Sequence, residues 1–183
     1  EGFLYRVDMR LRPWGSSGSL VTALPGYLKY LREHARSWET QALLKARPIA
    51  GDLELGDDML QQAQSLLYAA DPEIVRAAVQ DMKKRTESHL RSRGRVWGQV
   101  KLGVGSIRDV EFITQYLQMA NGSSQPHIRS HNTLASLALL GSHGLLTHDE
   151  QRVLSEGYVF MRTIEHHLQL MHYQQIYALP EDV

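Results

Sequence analysis

The sequence contains no cysteine, which excludes disulfides, thiolate catalysis and the commonest zinc sites. It carries no net charge, with 20 lysines and arginines against 20 aspartates and glutamates. No global positive field therefore exists to attract a phosphate backbone, and nucleic acid is disfavoured as a partner. No apolar run approaches the roughly 20 residues of a membrane-spanning helix, so no membrane role is expected. With no secretory leader before the first motif and no methionine at position 1, the chain reads as an excised fragment of a cytoplasmic protein. Also missing are a glycine-rich dinucleotide fingerprint, a Walker loop and a His-Glu-x-x-His zinc helix. Nine histidines are present, but His143 and His148, like His167 and His172, are five apart. That spacing does not place two metal ligands on one helical face.

What remains is a chain of 183 residues, 43% hydrophobic, long enough to bury a core. Residues 3–12 alternate with period two: Phe3, Tyr5, Val7, Met9 and Leu11 oppose Arg6, Asp8, Arg10 and Arg12. This predicts a half-buried strand. Pro13 and the Trp14-to-Ser19 turn interrupt it, and Leu20-Val21-Thr22 is a candidate for a second short strand. From Pro25 to Ala46 apolar residues, Trp38 among them, recur at steps of three and four, predicting one long helix that Lys45 and Arg47 close. A weaker helix is expected at about 57–69, and a strong start signal stands at Asp71-Pro72-Glu73.

Arg91 to Ser106 contains four glycines together with Arg91, Arg93, Arg95 and Lys101, and reads as a loop long enough to suspect function. Helices are expected from Ile107 to about Asn121, from His131 to His143 and from about Thr147 to His172. In the first of these, Arg108, Glu111, Gln115 and Gln118 form a polar face. In the last, Leu154, Tyr158, Met161, Leu168 and Met171 point inward. The expected fold class is α+β, mainly helical with a small β portion.

Four constellations could carry chemistry. Three arginines and Asp8 on one strand face either sit on a solvated edge or meet an anion, since buried charge needs a partner. Arginine forks fit phosphate oxygens, and a carboxylate beside them could hold magnesium. Trp14 to Leu20 can cradle phosphate with backbone N–H groups, although by itself it reads as a turn. Lys45 and Arg47 complement a helix dipole whether or not they bind a ligand. Lys101 to Phe112 is a basic, glycine-containing loop entering a helix, which either places acids near a positive helix end or brings Lys101 and Arg108 to a phosphate.

Taken in order, Asp8-Met9-Arg10-Leu11-Arg12-Pro13 with Gly15 and Gly18, Trp38-Glu39, Gln41 to Arg47, Lys101 to Phe112, and Gln115 with Gln118 resemble glutamine synthetase adenylyltransferase. The resemblance runs along nearly the whole chain. Lys101-Leu102-Gly103, Asn121-Gly122, Arg129 with Thr133-Leu134, and Glu165-His166 to Leu179-Pro180 are more similar to the N-terminal, deadenylating half of that two-half family.

The resemblance implies a polymerase-beta-like nucleotidyltransferase domain, whose C-terminal part spans 1–52, followed by a helical bundle domain at 53–183 like that of PII uridylyltransferase. It implies transfer of AMP between ATP and a tyrosine of glutamine synthetase, or its phosphorolytic removal as ADP. Glutamine synthetase and the PII signal protein are the implied partners. Asp8 is implied as a ligand of Mg2+, with Arg10 and Arg12 as its catalytic neighbours. Lys45, Arg47, Lys101, Arg108, Asp109 and Glu111 form an implied second ring around the nucleotide. The family's other two metal carboxylates belong to an Asp-x-Asp pair that this sequence does not contain, so the fragment by itself is expected to be inactive. Ser106 also departs from the glycine usual there. The competing reading is a helical docking module without chemistry of its own.

Overall fold

The computed structural model describes residues 8–172 and 176–180, omitting the side chain of His172. The chain divides into two compact units, Glu1–Leu67 and Tyr68–Val183.

Among the described residues the fold is helical, with no strand; the only β pairing is an isolated antiparallel bridge between Gln99 and Ala178. The α+β expectation, and with it the nucleotidyltransferase sheet remnant, is thereby corrected. Residues 3–7 of the expected strand lie outside the described residues. The remainder, 8–12, shows why alternation alone does not make a strand: backbone N–H and C=O groups need a neighbouring strand to pair with. Here they pair locally. Arg12 N–H donates to the Arg10 carbonyl, Gly15 N–H donates to Arg12, and a short 3-10 turn follows at Gly15–Ser17. Leu20 and Val21, expected in a second strand, are exposed at 66% and 86% and have no face to bury.

The first unit contains α1 (Leu24–Glu33), α2 (Ser37–Leu43) and α3 (Leu53–Leu67), with α3 packed on both others. The single helix expected from Pro25 to Ala46 is thus two. Glu39 makes the break: one carboxylate oxygen accepts from the Arg36 N–H at 3.1 Å, and the other accepts from the Tyr30 hydroxyl at 2.8 Å. One buried acid therefore caps α2 and ties it back to α1, an arrangement that leaves the apolar period unchanged across the gap. Trp38, expected inside, is 46% exposed. Asp52 starts α3 earlier than composition suggests by accepting from the Leu55 N–H at 3.0 Å, as an N-cap aspartate does.

The second unit contains α4 (Pro72–Ser92), α5 (Ile107–Asn121), α6 (Thr133–Ser142) and α7 (His148–His172). Asp71 caps α4 as its sequence signal indicates, accepting from the N–H groups of Glu73 and Ile74. Helix α5 packs against α4, α6 and α7 and is the axis of the unit. Its Ile107, Thr114 and Gln118 are fully buried. Gln115 and Gln118, on the expected polar face, therefore lie inside the bundle. The Gln118 amide donates to the carbonyls of Ile128 and Ser130 at 3.2 and 2.9 Å, satisfying backbone acceptors of the α5–α6 connection. At the end of α5, a side chain on Gly122 would strike the ring of Tyr68, against which Arg129 also stacks at 4.5 Å. Of the α7 residues expected inward, Leu168 is buried, whereas Met171 is 73% exposed.

Helix α7 begins with a capping box. The Glu150 carboxylate accepts from the Thr147 N–H and hydroxyl at 2.8 Å each, and the Glu150 N–H returns a bond to the Thr147 hydroxyl at 3.2 Å. The bond from the Thr147 backbone, and then that from its hydroxyl, hold the Glu150 carboxyl below its ordinary value. A depressed folded pKa stabilises the fold above the unfolded pKa and loses that contribution as pH falls through the folded value. Thr147→Ala is expected to lower the melting temperature at neutral pH by about 2–4 °C. The gap to the parent chain should narrow in acid, and an equal gap at pH 7 and pH 3 in thermal melts contradicts this account.

Candidate functional site

In the first unit, Asp8, Arg10 and Arg12 lie on the turn preceding α1. The Arg10 guanidinium embraces the Asp8 carboxylate, with Nε 2.9 and 3.1 Å from the two oxygens and Nη2 at 2.5 Å. Both side chains are exposed, and the pairing with Asp8 raises the Arg10 pKa. Arg12 serves a different end: Nη1 donates to the Met9 carbonyl at 2.5 Å and Nε to that of Gly18 at 3.2 Å, fastening the turn on itself. The segment around Gly15 and Gly18 is accordingly a turn held by an arginine. Helix α2 stops at Leu43, so Lys45 and Arg47 follow it rather than forming its last turn, Lys45 half-buried and Arg47 exposed.

Whether these residues fit magnesium is decided by their donors. Among the described residues no group of three or more His, Asp or Glu side chains could hold a metal ion. Asp8 offers one carboxylate, already engaged by Arg10, whereas magnesium requires several oxygen donors in octahedral array. The described residues do not by themselves form a magnesium site.

In the second unit, residues 93–106 link α4 to α5, and the four remaining candidates gather at the end of this connection. The Lys101 carbonyl accepts from the Ser106 hydroxyl at 2.7 Å and from the Arg108 N–H at 3.1 Å, while Ile107 N–H donates to Val100. Ser106 thus closes the loop through its hydroxyl, a use for the residue that departs from the glycine of the resemblance. Asp109 accepts from the Gly105 N–H at 2.7 Å and from Lys83 of α4 at 2.5 Å. Burial opposes the Lys83 charge, but its bonds to Asp109 and Glu87 outweigh that and raise its pKa. Glu111 accepts from the Tyr158 hydroxyl at 3.2 Å, bridging α5 to α7. Arg108 is half-buried, its pKa lowered by desolvation, with its guanidinium 5.9 Å from the Phe112 ring.

Lys101 has a partner that sequence reasoning did not assign. Its Nζ stands 3.1 Å from Glu165 on α7 and 4.3 Å from the centre of the Tyr177 ring. Glu165 is 1% exposed and also receives Arg162 Nη1 at 2.5 Å. The only sequence signal was the Arg162-to-Glu165 spacing of three, which is as common on solvated faces. Asp109, Glu111 and Lys101 thereby act on the loop and on helix packing, and Arg108 is the candidate among them least committed to a carboxylate.

Residues 1–62 match the family described as Glutamate-ammonia ligase adenylyltransferase, and residues 73–183 match that described as GlnD PII-uridylyltransferase. A bifunctional glutamine synthetase adenylyltransferase/adenylyl-removing enzyme of Streptomyces avermitilis is 39% identical over 183 residues, covering 100% of this chain and 18% of the relative. The chain belongs to the glutamine synthetase adenylyltransferase family. Enzymes of the same description from Hahella chejuensis and Acinetobacter baylyi are 35% and 38% identical, covering 100% and 98% of this chain and 19% of each relative. The adenylyltransferase-family chain thus spans about a fifth of the length of the curated relatives it matches. Among its described residues no helix is long and apolar enough to cross a membrane.

Proposed function

We propose that this chain is part of an enzyme that transfers AMP to, or removes it from, a tyrosine of glutamine synthetase, and that it derives from the deadenylating half. The supporting observation is the end-to-end similarity to bifunctional relatives, which spans both compact units without a break. In this reading residues 1–52 belong to the catalytic part and 53–183 to the helical domain that follows it. The reaction is in-line displacement at phosphorus, in which positioning and charge stabilisation dominate. Removal breaks the bond from the tyrosine oxygen to phosphorus as phosphate attacks, releasing ADP and the free hydroxyl.

Arg10 is poised to meet the nucleotide phosphates, with Arg12 holding the turn that carries it. Asp8 would supply one carboxylate to a magnesium ion in the whole enzyme, where further oxygen donors would be needed. Arg47 and Arg108 offer further cationic contacts, and Lys45 belongs to the same set. Lys101, Asp109 and Glu111 support by shaping the α4–α5 connection. The protein containing this chain is a cytoplasmic nucleotidyltransferase in this reading, and the isolated chain lacks activity.

The test is a chimera in which residues 1–183 replace the matching segment of the Streptomyces avermitilis relative. Asp8→Ala in that chimera is expected to slow adenylyl removal about 100-fold or more. Unchanged removal contradicts the assignment of Asp8.

A second reading is favoured by one observation, an apolar groove of about 430 Å³ between α4 and α5, walled by Val79, Phe112, Ile113 and Tyr116. Such a groove suits docking of glutamine synthetase or the PII signal protein. Ile113→Glu weakening capture of either protein by the chimera, with adenylyl transfer to a tyrosine peptide unchanged, supports docking; unchanged capture contradicts it.

A further inference from the structure

Between the end of α4, the α4–α5 connection and residues 176–179 lies a second, open cavity of about 610 Å³, within the size range of small-ligand sites. Its rear wall is built from two extended segments. Val100 N–H donates to the Tyr177 carbonyl at 2.9 Å, Leu179 N–H donates to Gly98 at 3.0 Å, and Gln99 pairs with Ala178 between them. Gly98 makes this approach possible: its φ is +67°, and a Cβ there would lie 2.9 Å from the Leu179 backbone nitrogen. The wall is therefore fixed by the backbone.

The lining is largely apolar and aromatic, and its charged side chains are of one sign. His89, Arg93 and Arg95 line it, and no carboxylate does. Arg91 nearby is paired with Glu87 at 3.1 Å. Arg93 and Arg95, by contrast, make no side-chain hydrogen bond or ion pair to any described residue. Trp97 lines the same cavity and leaves 58% of its surface exposed. Gln99 Oε1 is buried with no hydrogen-bond partner among the described residues. An orphaned buried acceptor costs about 1–3 kcal/mol and calls for a donor, which water or a ligand can supply.

We propose that this cavity binds a nucleoside phosphate. Arg93 and Arg95 take the phosphate oxygens, the Trp97 indole stacks on the base, and Gln99 Oε1 accepts from an amino or hydroxyl group of the ligand. This goes beyond the AMP-transfer reading: none of the four residues belongs to the reaction assigned to Asp8 and Arg10, and no metal is needed.

The test is calorimetric titration of the 183-residue chain with ADP in excess EDTA, which removes any metal-dependent binding elsewhere. Saturable heat is expected, about ten-fold weaker in each of Arg93→Ala and Arg95→Ala, the worth of one charged hydrogen bond. Arg93→Lys with Arg95→Lys, which keeps the charge but loses the fork, should give an intermediate loss. Trp97→Ala should weaken ADP and adenosine while leaving inorganic phosphate unchanged. No heat with ADP, or ADP binding indifferent to the arginine variants, overturns the proposal and leaves the Asp8 prediction standing. Phosphate binding as tightly as ADP overturns the nucleoside part.

Discussion

Replacing Glu165 with alanine is expected to destabilise the chain by about 3 kcal/mol, because it removes a buried acid that two cations share. Removing a single partner from a buried ion pair typically costs about 3–5 kcal/mol. The lower end applies here, since Lys101 and Arg162 are 26% and 37% exposed and regain water once the acid is gone. Glu165→Gln retains acceptor and shape and should lose less. The effect should also spread: with Glu165 absent, Lys101 no longer links the loop to α7 beside Tyr177, and the bridge to residues 177–179 should loosen. ADP affinity should fall in parallel. Urea denaturation reads the first effect and the EDTA titration the second. A Glu165→Ala midpoint equal to that of the parent chain shows that the acid is dispensable.

Leu137→Ala is the second large expected effect. Leu137 sits at 0% exposure on α6, which packs between α5 and α7. Truncating a leucine at such a site costs about 2–5 kcal/mol through lost burial and the cavity left behind. For a chain of this size that corresponds to a drop of about 5–15 °C in melting temperature. Leu134, on the same helix but 38% exposed, is the control, and its alanine variant should fall by no more than a few degrees. Equal losses at the two positions mean that α6 is not packed as described.

Function and stability meet at the α4–α5 connection. Lys101, Asp109 and Glu111 were expected around the nucleotide, yet three of the four groups that hold them, Lys83, Glu165 and Tyr158, lie on other helices, and the fourth, Gly105, is in the loop. A loop held from both sides keeps in place the backbone that carries Arg93 and Arg95, and Arg108 stands in the first turn of α5. The proposed nucleoside phosphate site depends on this loop wall.

Local signals with a local mechanism were legible. Asp71-Pro72-Glu73 caps α4 because an aspartate needs only the next two N–H groups. The bounds of α5 followed from its apolar period and Gly122. Signals needing a distant partner were not legible. The alternation at 8–12 reads as a strand because period two records which residues differ, not whether a second strand lies alongside. The break before α2 left the helical period intact, because Glu39 acts through Tyr30, nine residues away. Gln115 and Gln118 look like a solvated face until the carbonyls of the α5–α6 connection are placed against them.

By itself, then, the sequence determined family membership, the capped start of α4, and an arginine- and glycine-rich connection worth attention; these depend on residue order or on hydrogen bonds spanning two or three residues. Tertiary structure alone decided that Lys101 is bound to a buried glutamate on α7, that the expected polar face of α5 turns inward, and that two arginines and an indole line one cavity. Each of these joins residues far apart in the chain, and such pairings are set by packing, which chain order does not encode locally.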